Sequence, residues 1–213
     1  RLKLQFVEPG NPIPADTKLI IIPGTKSTIA DLKFLKYQGW DIDIKAHYRR
    51  GGSILGICGG YQILGNEIID DQGYDGTPSK AKGLGLLNVK TKMGKEKNLG
   101  KKEFISTING KKISGYEIHL GITSGSDCNN PFAILGNRKD GAISSNGLVM
   151  GTYLHGLFFS DEFRNNFVAK LSSEEKKEDI SFHDSIEFIL EEFVRVIEDN
   201  LDVDSILSVA RNI

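Results

Sequence analysis

Residues Ser53–Gly65 read Ser-Ile-Leu-Gly-Ile-Cys-Gly-Gly-Tyr-Gln-Ile-Leu-Gly, an apolar strand that runs into a cysteine set among glycines and continues as a helix. This is the pattern of a nucleophile elbow. A side chain held at a sharp strand-to-helix turn needs small neighbours, because its own backbone is strained and the chain on either side passes closely. Gly56, Gly59 and Gly60 leave that room. At the helix N-terminus, unpaired N–H groups and the helix dipole favour thiolate over thiol at Cys58. The Gly59 N–H is aimed at the oxygen of an attacked carbonyl, as one half of an oxyanion hole. An isolated cysteine is more often an inert core residue; the strand and the clustered glycines set Cys58 apart. Cys128, in the polar loop Ser126–Asn130, has neither and reads as incidental.

An elbow needs a sheet, and the flanking sequence supplies one. Strands near Leu2–Val7, Lys18–Ile22 and Ser53–Ile57 alternate with a helix over Ser27–Tyr37. In that helix Ile29, Leu32 and Leu35 make the buried stripe, Ser27 or Thr28 suits the N-cap, Asp31 favours the first turn and Gly39 is the stop. Such alternation predicts an α/β fold, a flavodoxin-like, mostly parallel sheet flanked by helices. From Gly83 to His119 the segments are extended and read as an antiparallel ribbon insertion, with Asn109-Gly110 as a two-residue turn between Phe104–Ile108 and Lys111–Ile113. Strands follow over Phe132–Leu135, Ala142–Ser144 and Leu148–Leu154. After Ser160 the chain turns helical: Phe182, Ile186, Ile189, Leu190, Phe193, Val194 and Ile197 share one face of a packed helix, and Ser172–Asp179 is a solvated link. Residues 1–213 read as one domain. The opening at Arg1 instead of Met, already in strand-like sequence, marks the chain as a piece of something longer.

Charge and composition narrow the partners. A formal net charge of -1 offers no attraction for nucleic acid. No run of eighteen apolar residues exists and the amino terminus does not resemble a signal peptide, so a cytoplasmic protein off the membrane is expected. Cys58 and Cys128 are the only cysteines and form no C-x-x-C, which points to no disulfide framework and no metal site.

A thiol nucleophile needs a base that takes its proton and later delivers one to the leaving amine, a task suited to imidazole. Of the four histidines, His47 lies in a charged helix and His183 in the carboxy-terminal helix, so both read as surface or helix-packing residues. His155 ends the strand Gly147–Leu154 and His119 ends Gly115–Ile118, and on pattern alone the two are near equals.

Four segments carry a family resemblance: Ile21–Thr28 (Ile-Ile-Pro-Gly-Thr-Lys-Ser-Thr), Gly56–Gln62 (Gly-Ile-Cys-Gly-Gly-Tyr-Gln), Gly115–Gly121 (Gly-Tyr-Glu-Ile-His-Leu-Gly) and Gly151–Phe158 (Gly-Thr-Tyr-Leu-His-Gly-Leu-Phe). In this order, from about Lys18 to Phe167, they resemble the class I glutamine amidotransferase domains of the cobyric acid synthase type. The resemblance implies that Cys58 is the nucleophile and His155 the catalytic histidine. It further implies that Gln62 helps hold glutamine, that Gly24 and Thr25 line the other side of the oxyanion hole, and that His119, Leu120 and Gly121 receive the amino-acid end of glutamine. One departure stands out. Most class I glutaminases carry a glutamate two residues after the histidine, and here that place is Leu157. A Cys-His dyad is the reading, oriented by a carboxylate from elsewhere, Glu117 or Asp161, or by a partner.

The implied substrate is L-glutamine, and the implied product is ammonia for a synthetase domain or subunit that amidates a corrinoid carboxylate in cobalamin biosynthesis. ATP and Mg belong to that synthetase part: G-x-x-x-x-G-K-[ST] is absent here, despite Gly24-Thr25-Lys26-Ser27, and this domain needs no cofactor of its own. Two rivals share the elbow. One is the glutaminase subunit of a peptidoglycan-precursor amidating complex; the other is a cysteine hydrolase of the same fold.

Overall fold

Segments apolar on both faces make the central sheet, and the polar ribbon builds a second one. The chain runs β1 (Leu19–Ile22), α1 (Thr28–Tyr37), α2 (Trp40–Arg49), β2 (Ser53–Ile57), α3 (Gly59–Leu64), β3 (Glu67–Asp70), β4 (Ser79–Lys82), β5 (Val89–Ser106), β6 (Lys112–Gly125), β7 (Ala133–Leu135), β8 (Arg138–Asp140), β9 (Ala142–Ile143), β10 (Val149–Thr152), β11 (Leu154–His155) and α4 (Asp161–Ala169). α5 (Phe182–Asn200) and α6 (Val203–Arg211) follow. This computed structural model describes residues 3–171 and 181–211, which fall in two compact units, 1–173 and 174–213.

In the central sheet the order is β1-β2-β10-β9, with β1, β2 and β10 parallel and β9 antiparallel. Ile54, Leu55 and Val149 are fully buried, as expected of strands covered on both sides. The second sheet is dominated by β5 and β6, which pair antiparallel with a register shift between Lys92 and Lys97; β11 joins the β6 edge and β3 the other. The two sheets meet where the chain leaves β10 and enters β11. The Asp140 carboxylate holds that step: it accepts from the Thr152 hydroxyl and, at 3.2 Å, from the Tyr153 N–H, while the Leu154 N–H turns back to Thr152 Oγ1 at 3.1 Å. The expected continuous strand Leu148–Leu154 is therefore two strands broken at Tyr153.

Three further expectations are corrected. Residues 3–8 join no strand, and Leu4 and Phe6 are exposed; their alternation fits a strand, but no sheet edge receives them. The hairpin turn takes residues 107–110 instead of Asn109-Gly110 alone, because Thr107 is drawn to the carbonyls of Pro131 and Phe132. α5 buries none of the residues of its apolar face. The polar stretch Ser172–Asp179 lies outside the described residues.

Candidate active site

Cys58 stands at the carboxyl end of β2, between the ends of β1 and β10, the edge at which open α/β sheets gather ligands. Its N–H donates to the Thr152 carbonyl at 2.8 Å, and the next residue already begins α3. Among the described residues it is the one non-glycine with positive φ, at 53°. Such a backbone costs about 1–3 kcal/mol and persists only where the surroundings enforce it. Gly60 is part of that enforcement: a Cβ there would lie 2.0 Å from the Ile22 carbonyl oxygen, so only glycine lets α3 settle against β1.

The thiol is 7% exposed, yet it opens on a cavity of about 440 Å³ whose walls include Gly24, Thr25, Gly59, His119, Leu120 and His155. A volume of that size suits a small ligand. Burial pushes the Cys58 thiol up; the Gly59 N–H pulls the other way, and the negative charge of Asp75 adds to the rise. The expected depression by the helix terminus is thus overturned. α3 has only six residues, and loss of solvent outweighs its few aligned amides. In keeping with a protonated resting state, Sγ donates to the Ile118 carbonyl at 3.4 Å.

His155 reaches the same cavity from the second sheet. A methyl built on Gly24 would fall 2.8 Å from His155 Cε1 and 3.5 Å from Cys58 Cβ, so the imidazole and the thiol close on one small space from different sides. Gly24 is a position where no larger residue fits without moving the ring. Burial lowers the His155 pKa from its ordinary 6.5, which leaves a neutral imidazole at pH 7. Its Nε2 is buried without a hydrogen-bond partner among the described residues. Instead the ring stacks on Tyr116, centroids 5.0 Å apart and planes 10° from parallel, across the register pair His155↔Tyr116.

The stretch Gly115–Gly121 of β6 forms the facing wall. Tyr116 stacks on His155, the Ile118 carbonyl accepts from the thiol, and the Leu120 carbonyl accepts from Gln62 Nε2 at 3.0 Å. His119 stacks on Tyr153 at 3.7 Å, its Nδ1 buried and unpartnered; burial lowers its pKa. Gly121 lies elsewhere, on a second cavity of about 220 Å³ that shares only His119 with the first. Gln62 is 2% exposed and heavily engaged: Oε1 accepts from Thr28 Oγ1 at 3.0 Å, and Nε2 also donates to the Tyr153 hydroxyl at 3.2 Å. It ties α1, α3 and β6 together beneath the cavity floor.

Neither candidate carboxylate hydrogen-bonds the imidazole. Both oxygens of Glu117 take the Arg138 guanidinium, at 2.8 and 2.5 Å, and Asp161 pairs with Arg164. The other histidines stand apart: His47 Nε2 meets the Ser53 carbonyl at 3.0 Å, tying α2 to β2, and His183 is exposed in α5. The pattern had not singled out Tyr116, Thr28, Lys26 or Asp75, all of which reach the site. Tyr116 was readable only with the β6–β11 register in hand, and Asp75 arrives on a loop with no periodic signal. Among the described residues no group of three His, Cys, Asp or Glu side chains could hold a metal, and no helix is long and apolar enough to cross a membrane.

Comparison with known proteins agrees with this site. Residues 1–163 match the CobB/CobQ-like glutamine amidotransferase domain. The cobyric acid synthase of Cereibacter sphaeroides is 48% identical over 210 residues, covering 99% of this chain and 43% of the relative. That of Bradyrhizobium diazoefficiens is 49% identical over 208 residues, covering 98% and 43%. The chain thus spans less than half the length of these relatives. Two solved structures share the fold: a glutamine amidotransferase with TM-score 0.53, and PurLQS from Thermotoga maritima with TM-score 0.51. Each is 19% identical and covers 75% of this chain and 82% of its own, a likeness that concerns the α/β architecture alone. An elbow cysteine at the sheet edge, a histidine brought to it by the second sheet and a family match over residues 1–163 agree, and the chain belongs to the CobB/CobQ-like glutamine amidotransferase domain family.

Proposed function

We propose that the chain is the glutaminase part of a cobyric acid synthase, with Cys58 as nucleophile and His155 as acid and base. The neutral imidazole takes the thiol proton as sulfur adds to the side-chain amide carbon of L-glutamine. The oxyanion is received by the Gly59 N–H and by backbone from Gly24 and Thr25. When the carbon–nitrogen bond breaks, His155 returns the proton to the leaving nitrogen and ammonia departs. His155 then draws a proton from water, whose oxygen attacks the glutamyl thioester; glutamate leaves and the thiol is restored. Covalent capture divides one hard hydrolysis into two easier steps. His119 and Leu120 line the amino-acid end of the pocket, and Gln62 acts from below by holding Leu120 and Tyr153. The ammonia goes to a synthetase domain ahead of this one in a longer cytoplasmic protein, which uses ATP and Mg to amidate corrinoid carboxylates.

The observation that carries the reading is the convergence of Cys58 and His155 over Gly24. The length of the relatives, all cobyric acid synthases, supports the synthetase partner. Ammonia release from glutamine by the purified chain, measured with a coupled assay, tests it. Release lost in Cys58→Ala and cut roughly 10²- to 10⁴-fold in His155→Ala is expected; glutamine-independent esterase or peptidase activity at Cys58 would point to a different hydrolase.

A further inference from the structure

The cavity over Cys58 has a charge pattern that its catalytic pair does not explain. Its walls carry one carboxylate, Asp75, and one ammonium, Lys26; the remaining polar lining consists of hydroxyls, amides, the thiol and two imidazoles. A free amino acid carries both of the complementary charges, whereas a glutamine residue inside a peptide carries neither.

Asp75 is placed with care. It sits in the loop between β3 and β4, and that loop is folded back by Asp70, 1% exposed, whose carboxylate accepts the Tyr74 N–H at 2.9 Å and the Asp75 N–H at 2.8 Å. The result sets Asp75 against the start of α1: its carboxylate accepts the Ile29 N–H at 3.3 Å, and its carbonyl accepts Ser27 Oγ at 3.1 Å. Among the described residues no cation comes within 4 Å of it, although burial, and then the charges of Asp70 and Asp31, raise its pKa. A half-buried carboxylate facing a ligand cavity, fixed by two backbone elements and lacking a counterion, is a receptor for a cationic group.

We propose that Asp75 binds the α-ammonium group of glutamine and so selects the free amino acid over other carboxamides. The proposal rests on the reading of Cys58 as the glutaminase nucleophile. It also gives Asp75 a second effect. Its charge is one of the influences that keep the thiol protonated. An ammonium bound to Asp75 cancels that field, so the arrival of substrate, and not the empty site, favours the thiolate.

The two effects make an experiment with opposite signs. Modification of Cys58 is followed by mass spectrometry with two reagents: 6-diazo-5-oxo-L-norleucine, which carries the α-ammonium, and iodoacetamide, which does not. In Asp75→Asn, which keeps an acceptor for the Ile29 N–H, the diazo reagent should react roughly 10- to 100-fold more slowly, the range for losing a charged hydrogen bond. Iodoacetamide at pH 7 should react as fast as with the wild type or faster. Asp75→Glu should restore the diazo rate to within a few-fold. As a check on the group recognised, 4-carbamoylbutanoate, glutamine without its amine, should protect Cys58 from iodoacetamide equally in wild type and Asp75→Asn. An unchanged diazo rate in Asp75→Asn, or equal slowing of both reagents that Asp75→Glu does not reverse, overturns the assignment. A wild-type chain that takes iodoacetamide at Cys58 but never the diazo reagent sinks the glutaminase reading itself, a result distinct from either of these.

Discussion

The two walls of the cavity are built by opposite means. The elbow wall, β2 through Cys58 into α3, is local: five strand residues, a strained cysteine and glycines that admit Ile22 and Leu64 at close range. The ribbon wall, Gly115–Gly121, has no local rule of its own. It is held by pairing with β5 and β11, and it acts on the site through a ring, a thiol-accepting carbonyl and an amide-accepting carbonyl on successive stretches of one strand. The elbow presents the nucleophile; the ribbon orients what works with it. Substitutions in the first wall should therefore abolish chemistry, and those in the second should grade it.

The sharpest break is Cys58→Ala, for which no glutamine hydrolysis and no diazo-reagent labelling are expected, with thermal stability kept or raised as the strained thiol is removed. Gly24→Ala comes next. Its methyl would lie 2.8 Å from His155 Cε1, and displacement of the ring by about 1 Å should lower kcat roughly 100-fold while circular dichroism stays unchanged. An unaltered kcat would show that the ring has room the structure does not grant it. Gln62→Ala should act on the fold: with three partners left unpaired, chemical denaturation should show a loss of about 3 kcal/mol. Should Gln62 instead hold substrate alone, KM would rise with no loss of stability.

The smallest effect belongs to the ribbon. Tyr116→Leu removes a stack worth about 0.5–1.5 kcal/mol, so kcat should fall by up to roughly tenfold. The sign of the accompanying pH change follows from burial. The base must be neutral, and its pKa lies below 6.5, which puts the acid limb of kcat/KM under that value. Opening the ring to water in Tyr116→Leu relieves the desolvation, so the limb should move up toward 6.5. A limb that stays fixed would mean that Tyr116 does not shape the environment of the ring.

What could be read in advance divides along the same line. β1, α1, β2 and the elbow are written in short-range apolar periodicity and glycine placement, and they form where that grammar puts them. Ionisation of Cys58 was misread because a helix terminus is a local feature, whereas burial is supplied by Ile118 and the rest of the facing wall. His119 and His155 tied on pattern because both end strands. The tie is broken by Asp140, which turns the chain at Tyr153 and sends only His155 over Gly24. Leu2–Val7 and α5 show the converse limit: alternation and a 3.6-residue stripe state that a surface wants a cover, not that the chain provides one.

The pairing of thiol and imidazole is tested most directly by acid-quenching the chain during turnover of radiolabelled L-glutamine and locating the label. The account predicts a glutamyl thioester on the peptide containing Cys58, absent from Cys58→Ala and strongly reduced in His155→Ala. Label on any other residue, or wild-type hydrolysis of glutamine by Cys58→Ala, would contradict it.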